Sequence, residues 1–127
     1  MLSSFFCFSD DEFQKMVRKS VTAQREWATV SIQQRQRVML EYQHLIRQHT
    51  DKLAEWICLE NGKTLADAKG DVFRGLEVVE TTCHMAPHLV GDSLGTVATN
   101  MDLTSYRMPL GVCAGICPFN FPAMIPL

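Results

Sequence analysis

The sequence predicts an α/β fold that 127 residues leave incomplete, and three observations predict it. Apolar residues recur at helical spacing across 9–90. Two β-prone runs separated by a turn occupy 91–108. Residues 109–127 hold one continuous apolar run followed by a loop bracketed by prolines. Residues 1–8 stay unassigned, and 9–127 are expected to form one partial domain.

The helical block starts at Ser9, whose spacing to Glu12 makes a capping box. Phe13, Met16, Val17, Val21 and Trp27 then recur near the helical period. Ser31 with Gln34 opens a second helix carrying Val38, Met39, Tyr42, Leu45 and Ile46. Thr50 and Asp51 open a third, with Leu53, Trp56 and Ile57, and Asn61-Gly62 closes it because glycine tolerates a left-handed turn. Thr64 caps a fourth, whose stripe runs Leu65, Ala68, Val72, Leu76, Val79 and Cys83. All four stripes are read as core.

Beyond Gly91, the runs Gly95–Thr99 and Leu103–Arg107 flank Asn100-Met101-Asp102 and predict a hairpin. The apolar run Val112–Cys117 shows no alternation, as in a strand buried on both faces of a parallel sheet. Such a strand needs partners, and no other segment here supplies them. The sequence is therefore expected to be a piece of a larger fold.

Composition excludes several classes of function. The chain is 46% hydrophobic and 20% charged, with a net charge of −2. Its basic residues are interleaved with acids, so no nucleic-acid surface is expected. No run of 18 apolar residues exists to span a membrane. The opening Met1–Phe8 is apolar but lacks the pattern of a secretory signal or a mitochondrial presequence, so no targeting segment is visible. Five unevenly spaced cysteines argue for a reducing compartment. No metal site is expected: Cys113 and Cys117 lack zinc-knuckle spacing, and Pro87 interrupts the group Cys83, His84 and His88.

Asn120 is the residue best placed for chemistry. It follows the carboxyl end of the expected strand, where ligands bind in open α/β sheets. Prolines and aromatics on both sides stiffen its loop. Such an amide either donates to a developing oxyanion or bonds its own backbone in a turn. Spacing alone does not choose between the two. Arg74 is likewise either a solvated helix arginine or a fork for a carboxylate.

The stretch Leu110-Gly111-Val112-Cys113-Ala114-Gly115-Ile116-Cys117-Pro118-Phe119-Asn120-Phe121-Pro122 resembles a conserved loop of the aldehyde dehydrogenase superfamily. That loop reads aromatic, Asn, Phe, Pro. The resemblance extends over residues 10–127. Leu59-Glu60-Asn61-Gly62-Lys63-Thr64-Leu65-Ala66-Asp67-Ala68 is similar to the family's helical junction, and Gly70–Glu80 and Phe119–Pro126 look like its methylmalonate-semialdehyde dehydrogenase branch. It implies that the hairpin is of the oligomerisation type and that the apolar run is the first strand of a Rossmann-like NAD-binding domain. It implies Asn120 in an oxyanion hole, Arg74 on a substrate carboxylate, and Ile116, Cys117, Pro118 and Phe119 along NAD. Cys117 stands where relatives usually carry Ala. The implied activity is NAD-dependent oxidation of methylmalonate or malonate semialdehyde to an acyl-CoA, with coenzyme A as co-substrate, in valine and pyrimidine catabolism. A tetrameric assembly and a mitochondrial address follow from the same resemblance. The catalytic cysteine, the glutamate base and the glycine-rich NAD-binding turn are expected beyond residue 127, so the chain alone is expected to be inactive. The alternative is a non-catalytic assembly partner of the intact tetramer.

Overall fold

Four helices, a two-stranded antiparallel sheet and an irregular C-terminal stretch make up the computed structural model, which describes residues 9–127. The expectations placed on residues 1–8 lie outside the described residues.

Three of the four helices begin where the sequence has a side-chain cap. In α1, Asp10–Ala28, the Ser9 hydroxyl accepts from the Glu12 N–H at 3.3 Å, and Glu12 returns the bond to the Ser9 N–H at 2.9 Å. The Ser9 N–H holds the Glu12 carboxyl below the usual carboxylate range. Ser31 caps α2, Ile32–Gln48, by accepting from the Gln34 N–H. Helix α3, Thr50–Asn61, has His49 at its cap position and no side-chain cap. The Thr50 hydroxyl instead donates back to the Ile46 carbonyl at 2.9 Å, tying α3 to the end of α2. Gly62 ends α3 at φ 79, and Thr64 caps α4, Leu65–Thr82. A short 3-10 turn, Ala86–Leu89, leads to the hairpin.

Helix α4 is the centre of the packing. It lies against α2 and α3 and contributes Val72, Leu76 and Val79 to the core, with Ile46 from α2. Of its expected stripe, only Leu65 is exposed. Met39, Leu53, Ile57, Ala123 and Leu127 pack onto this core. Arg47 of α2 pairs with Glu80 of α4, and that guanidinium holds the Glu80 carboxyl below its usual range, with help from Gln43.

The hairpin joins β1, Ser93–Ala98, to β2, Met101–Thr104. Its turn is tighter than the sequence predicts. Asn100 takes the left-handed region at φ 61, so Met101 already pairs with Ala98. An irregularity between Leu94 and Ala98 is held by Asp102, whose carboxylate accepts the Thr96 N–H at 2.7 Å.

Two expectations are corrected. The stripes of α2 and α3 leave Val38, Tyr42, Leu45 and Trp56 exposed, and that of α1 is not core: none of its residues is buried, and Phe13 is 54% exposed. Among the described residues no element covers the α1 face closely enough to bury it. The run Val112–Cys117 is not a buried strand. It is assigned to no strand and is exposed throughout. The reason is pairing, since the only strands among the described residues bond to one another. A parallel strand without neighbours or covering helices has nothing to bury it.

Candidate functional site

The candidate site lies where the C-terminal turn meets α4. Residues 121–127 fold back over the helix. Gly75 makes the approach possible, since a Cβ there would lie 2.6 Å from Leu127 Cδ1 and 3.2 Å from the Ala123 carbonyl oxygen. The close approach at Gly75 is made by the chain's own turn.

One polar group on α4 fastens this turn. Asp71 is fully buried. Its carboxylate accepts the Met124 N–H at 2.9 Å and reaches the Ala123 N–H at 3.5 Å. Lys63 supplies the countercharge at 3.2 Å, with its ammonium 4.6 Å from the centroid of the Phe121 ring. A buried carboxylate without these partners would carry a large desolvation cost. At the other end of the loop, the Asn61 amide donates to the Phe119 carbonyl at 2.9 Å.

Between α4 and the loop opens a cleft of about 540 Å³, lined among others by Lys63, Gly70, Arg74, Asn120, Phe121 and Met124. Arg74 and Asn120, singled out separately in the sequence, therefore face one space. Among the described residues, neither the Arg74 guanidinium nor the Asn120 amide has a hydrogen-bond or ion-pair partner within the chain. A donor amide and a guanidinium sharing a cleft can bind a molecule with a carbonyl at one end and a carboxylate at the other.

Ile116, Cys117, Pro118 and Phe119 do not line this cleft. They follow one another along the exposed segment, with Ile116 and Phe119 presenting whole apolar side chains to solvent. Among the described residues no three or more His, Cys, Asp or Glu side chains gather as metal ligands.

Sequence reasoning missed Asp71, Lys63 and Asn61. For Asp71 a signal was available. It lies three residues after Ala68 and four before Gly75, so helical periodicity puts a carboxylate on the buried stripe. A charge in that register demands a partner. The Asn61 bond to Phe119 spans 58 residues and leaves no local trace.

The sequence matches the family model described as the aldehyde dehydrogenase family over residues 3–127, reaching into the first eight residues set apart above. It is 59% identical over 101 residues to the acylating mitochondrial methylmalonate-semialdehyde/malonate-semialdehyde dehydrogenase of Bos taurus, covering 80% of this chain and 19% of that protein. It is 55% identical over 119 residues to the acylating mitochondrial methylmalonate-semialdehyde dehydrogenase of Arabidopsis thaliana, covering 94% of this chain and 20% of that one. Among solved structures it is similar to a Sinorhizobium meliloti protein assigned as a methylmalonate-semialdehyde dehydrogenase and complexed with NAD. That likeness has a TM-score of 0.91 and 38% identity, and covers 95% of this chain and 25% of the other. The chain spans about a fifth of the length of the curated relatives it matches.

Proposed function

The chain belongs to the aldehyde dehydrogenase family, and from that premise we propose that it supplies one wall of a site oxidising methylmalonate or malonate semialdehyde. The observation that carries this reading is the shared cleft of Arg74 and Asn120. The substrate has an aldehyde and a carboxylate a few bonds apart. The Arg74 guanidinium takes the carboxylate in a bidentate pair and so aims the aldehyde at the loop. The Asn120 amide donates to the carbonyl oxygen as negative charge develops there. One preorganised donor of this kind contributes on the order of 3 kcal/mol to the transition state.

NAD supplies the oxidant when bound. Ile116, Cys117, Pro118 and Phe119 fit it as one flank: the segment is exposed, and its apolar edges are free to contact a flat cofactor. The relatives' names support an acylating reaction and a mitochondrial address, and coenzyme A is the acyl acceptor in this reading. All three belong to this proposal, as do the place in valine and pyrimidine catabolism and the tetramer.

The test is a hybrid in which residues 9–127 replace the matching segment of a full-length relative. Asn120→Ala should lower kcat by about a hundredfold or more with NAD affinity unchanged. Arg74→Leu should impair carboxylated aldehydes far more than propanal. Unchanged turnover in the first, or equal losses in the second, would remove that residue from the mechanism.

A second reading, a non-catalytic assembly partner, is favoured by the exposed apolar residues of α1 and the hairpin. Co-expression with a full-length relative discriminates: incorporation of the chain with loss of the partner's activity supports it.

A further inference from the structure

The loop that carries Asn120 is gripped on both sides by side chains that do not line the cleft. Before it, the Asn61 Nδ2 holds the Phe119 carbonyl at 2.9 Å. After it, the Asp71 carboxylate holds the Met124 N–H at 2.9 Å. Phe121, between the two grips, is held by the Lys63 ammonium that neutralises Asp71. The grips come from different places: Asn61 is the last residue of α3, and Asp71 lies in the second turn of α4. These two helices pack on one another, so the distance between the anchors is set by the core.

The geometry points to Asn61 and Asp71 as positioning residues that fix where the Asn120 amide stands. This rests on the proposed role of Asn120 as oxyanion donor. An amide on a free loop would spend its binding energy on being ordered, whereas one held in advance donates without reorganisation. Phe119 and Asn120 are themselves exposed, so packing does not hold them and the two grips do. Asp71 is the stronger. It is ionic, buried and bonded to backbone, and its loss leaves a half-buried N–H without an acceptor.

Two measurements test this. In the chain as it stands, Asp71→Asn should raise amide exchange at Met124 by about tenfold or more while Val72 and Val79 keep their protection. If the single change unfolds the chain, Lys63→Met combined with Asp71→Asn removes the buried charge together with its countercharge, and the same amides are read. In the hybrid enzyme, Asn61→Ala and Asp71→Asn should each lower kcat by about tenfold to a hundredfold without raising KM for NAD. Adding Asn120→Ala to either should cost little more, because the effects pass through the same amide. Fully additive losses, or Met124 exchange unchanged by Asp71→Asn, would overturn the assignment. If Asn120→Ala alone leaves kcat unchanged, the oxyanion reading fails and the catalytic meaning of the grips with it. The exchange result would still report whether Asp71 holds the turn.

Discussion

Replacing Gly75 by Ala sets two effects of known size against each other. Gly75 lies inside α4, and Ala in place of Gly in a helix interior favours the helix by about 1 kcal/mol. Against this, the new Cβ would meet Leu127 Cδ1 at 2.6 Å, Leu127 Cβ at 3.1 Å and the Ala123 carbonyl oxygen at 3.2 Å. The first contact is the end of a flexible side chain, and a rotamer change relieves it at about 1 kcal/mol. The other two involve atoms close to or in the backbone, so the turn itself must retreat by a few tenths of an ångström. Overpacking of this kind typically costs about 1–3 kcal/mol. The net expectation is a loss of about 1–3 kcal/mol, read from urea unfolding followed by circular dichroism. The damage should be local. The Leu127 N–H, which donates to the Ala123 carbonyl at 3.1 Å, should lose exchange protection while Val79 keeps its own. A gain of the full helix-propensity increment, with Leu127 protection unchanged, would refute the claim that the turn presses on Gly75.

Three further outcomes follow from the same packing. Val79→Ala, at a fully buried core position, should cost about 2 kcal/mol in urea unfolding, and a loss near zero would mean the α2–α4 core is not formed. The Glu80 carboxyl is held low by Arg47, so its stabilising contribution is present above the unfolded value of about 4.3 and is lost as pH falls through the folded value. Arg47→Met should therefore flatten that part of the stability profile in melts taken from about pH 7 to about pH 3. The Glu12 carboxyl, also held low, leaves some acid dependence in both proteins, and identical profiles would discount the Arg47 pair. Finally, the chain exposes 10639 Å² at 14.4 kDa, where a compact monomer of that mass exposes about 6,800 Å². The isolated chain should bind a hydrophobic dye strongly, and weak binding would indicate that α1 and the apolar run are covered in solution.

Local features were the ones legible in the sequence. Ser9, Ser31 and Thr64 cap helices because a hydroxyl two or three residues before a free N–H can act only locally. Gly62 announces the end of α3 for the same reason, its left-handed φ being cheap only for glycine. Burial was less legible, because periodicity shows that a face is apolar and not what lies on it. The stripe of α4 is core and the stripe of α1 is exposed, yet both have the same spacing. The run Val112–Cys117 carries the same lesson for strands. Its unbroken apolarity records an environment with neighbours on both sides, and the described residues hold no such neighbours.

The candidate site divides along the same line. Asn120 and Arg74 could be singled out because each carries a local chemistry, an amide in a stiffened loop and a guanidinium fork suited to a carboxylate. That they share a cleft could not be seen, since it depends on how residues 121–127 fold back onto α4. Asp71 settles that approach, and its effect is tertiary: an aspartate at that register with no partner would be expelled from the stripe. With Lys63 eight residues before it and two N–H groups more than fifty residues after it, it becomes the fixed point of the turn. The carboxylate that looks like an error in an apolar stripe is therefore the group that determines where the loop ends, and through the loop where the Asn120 amide can stand.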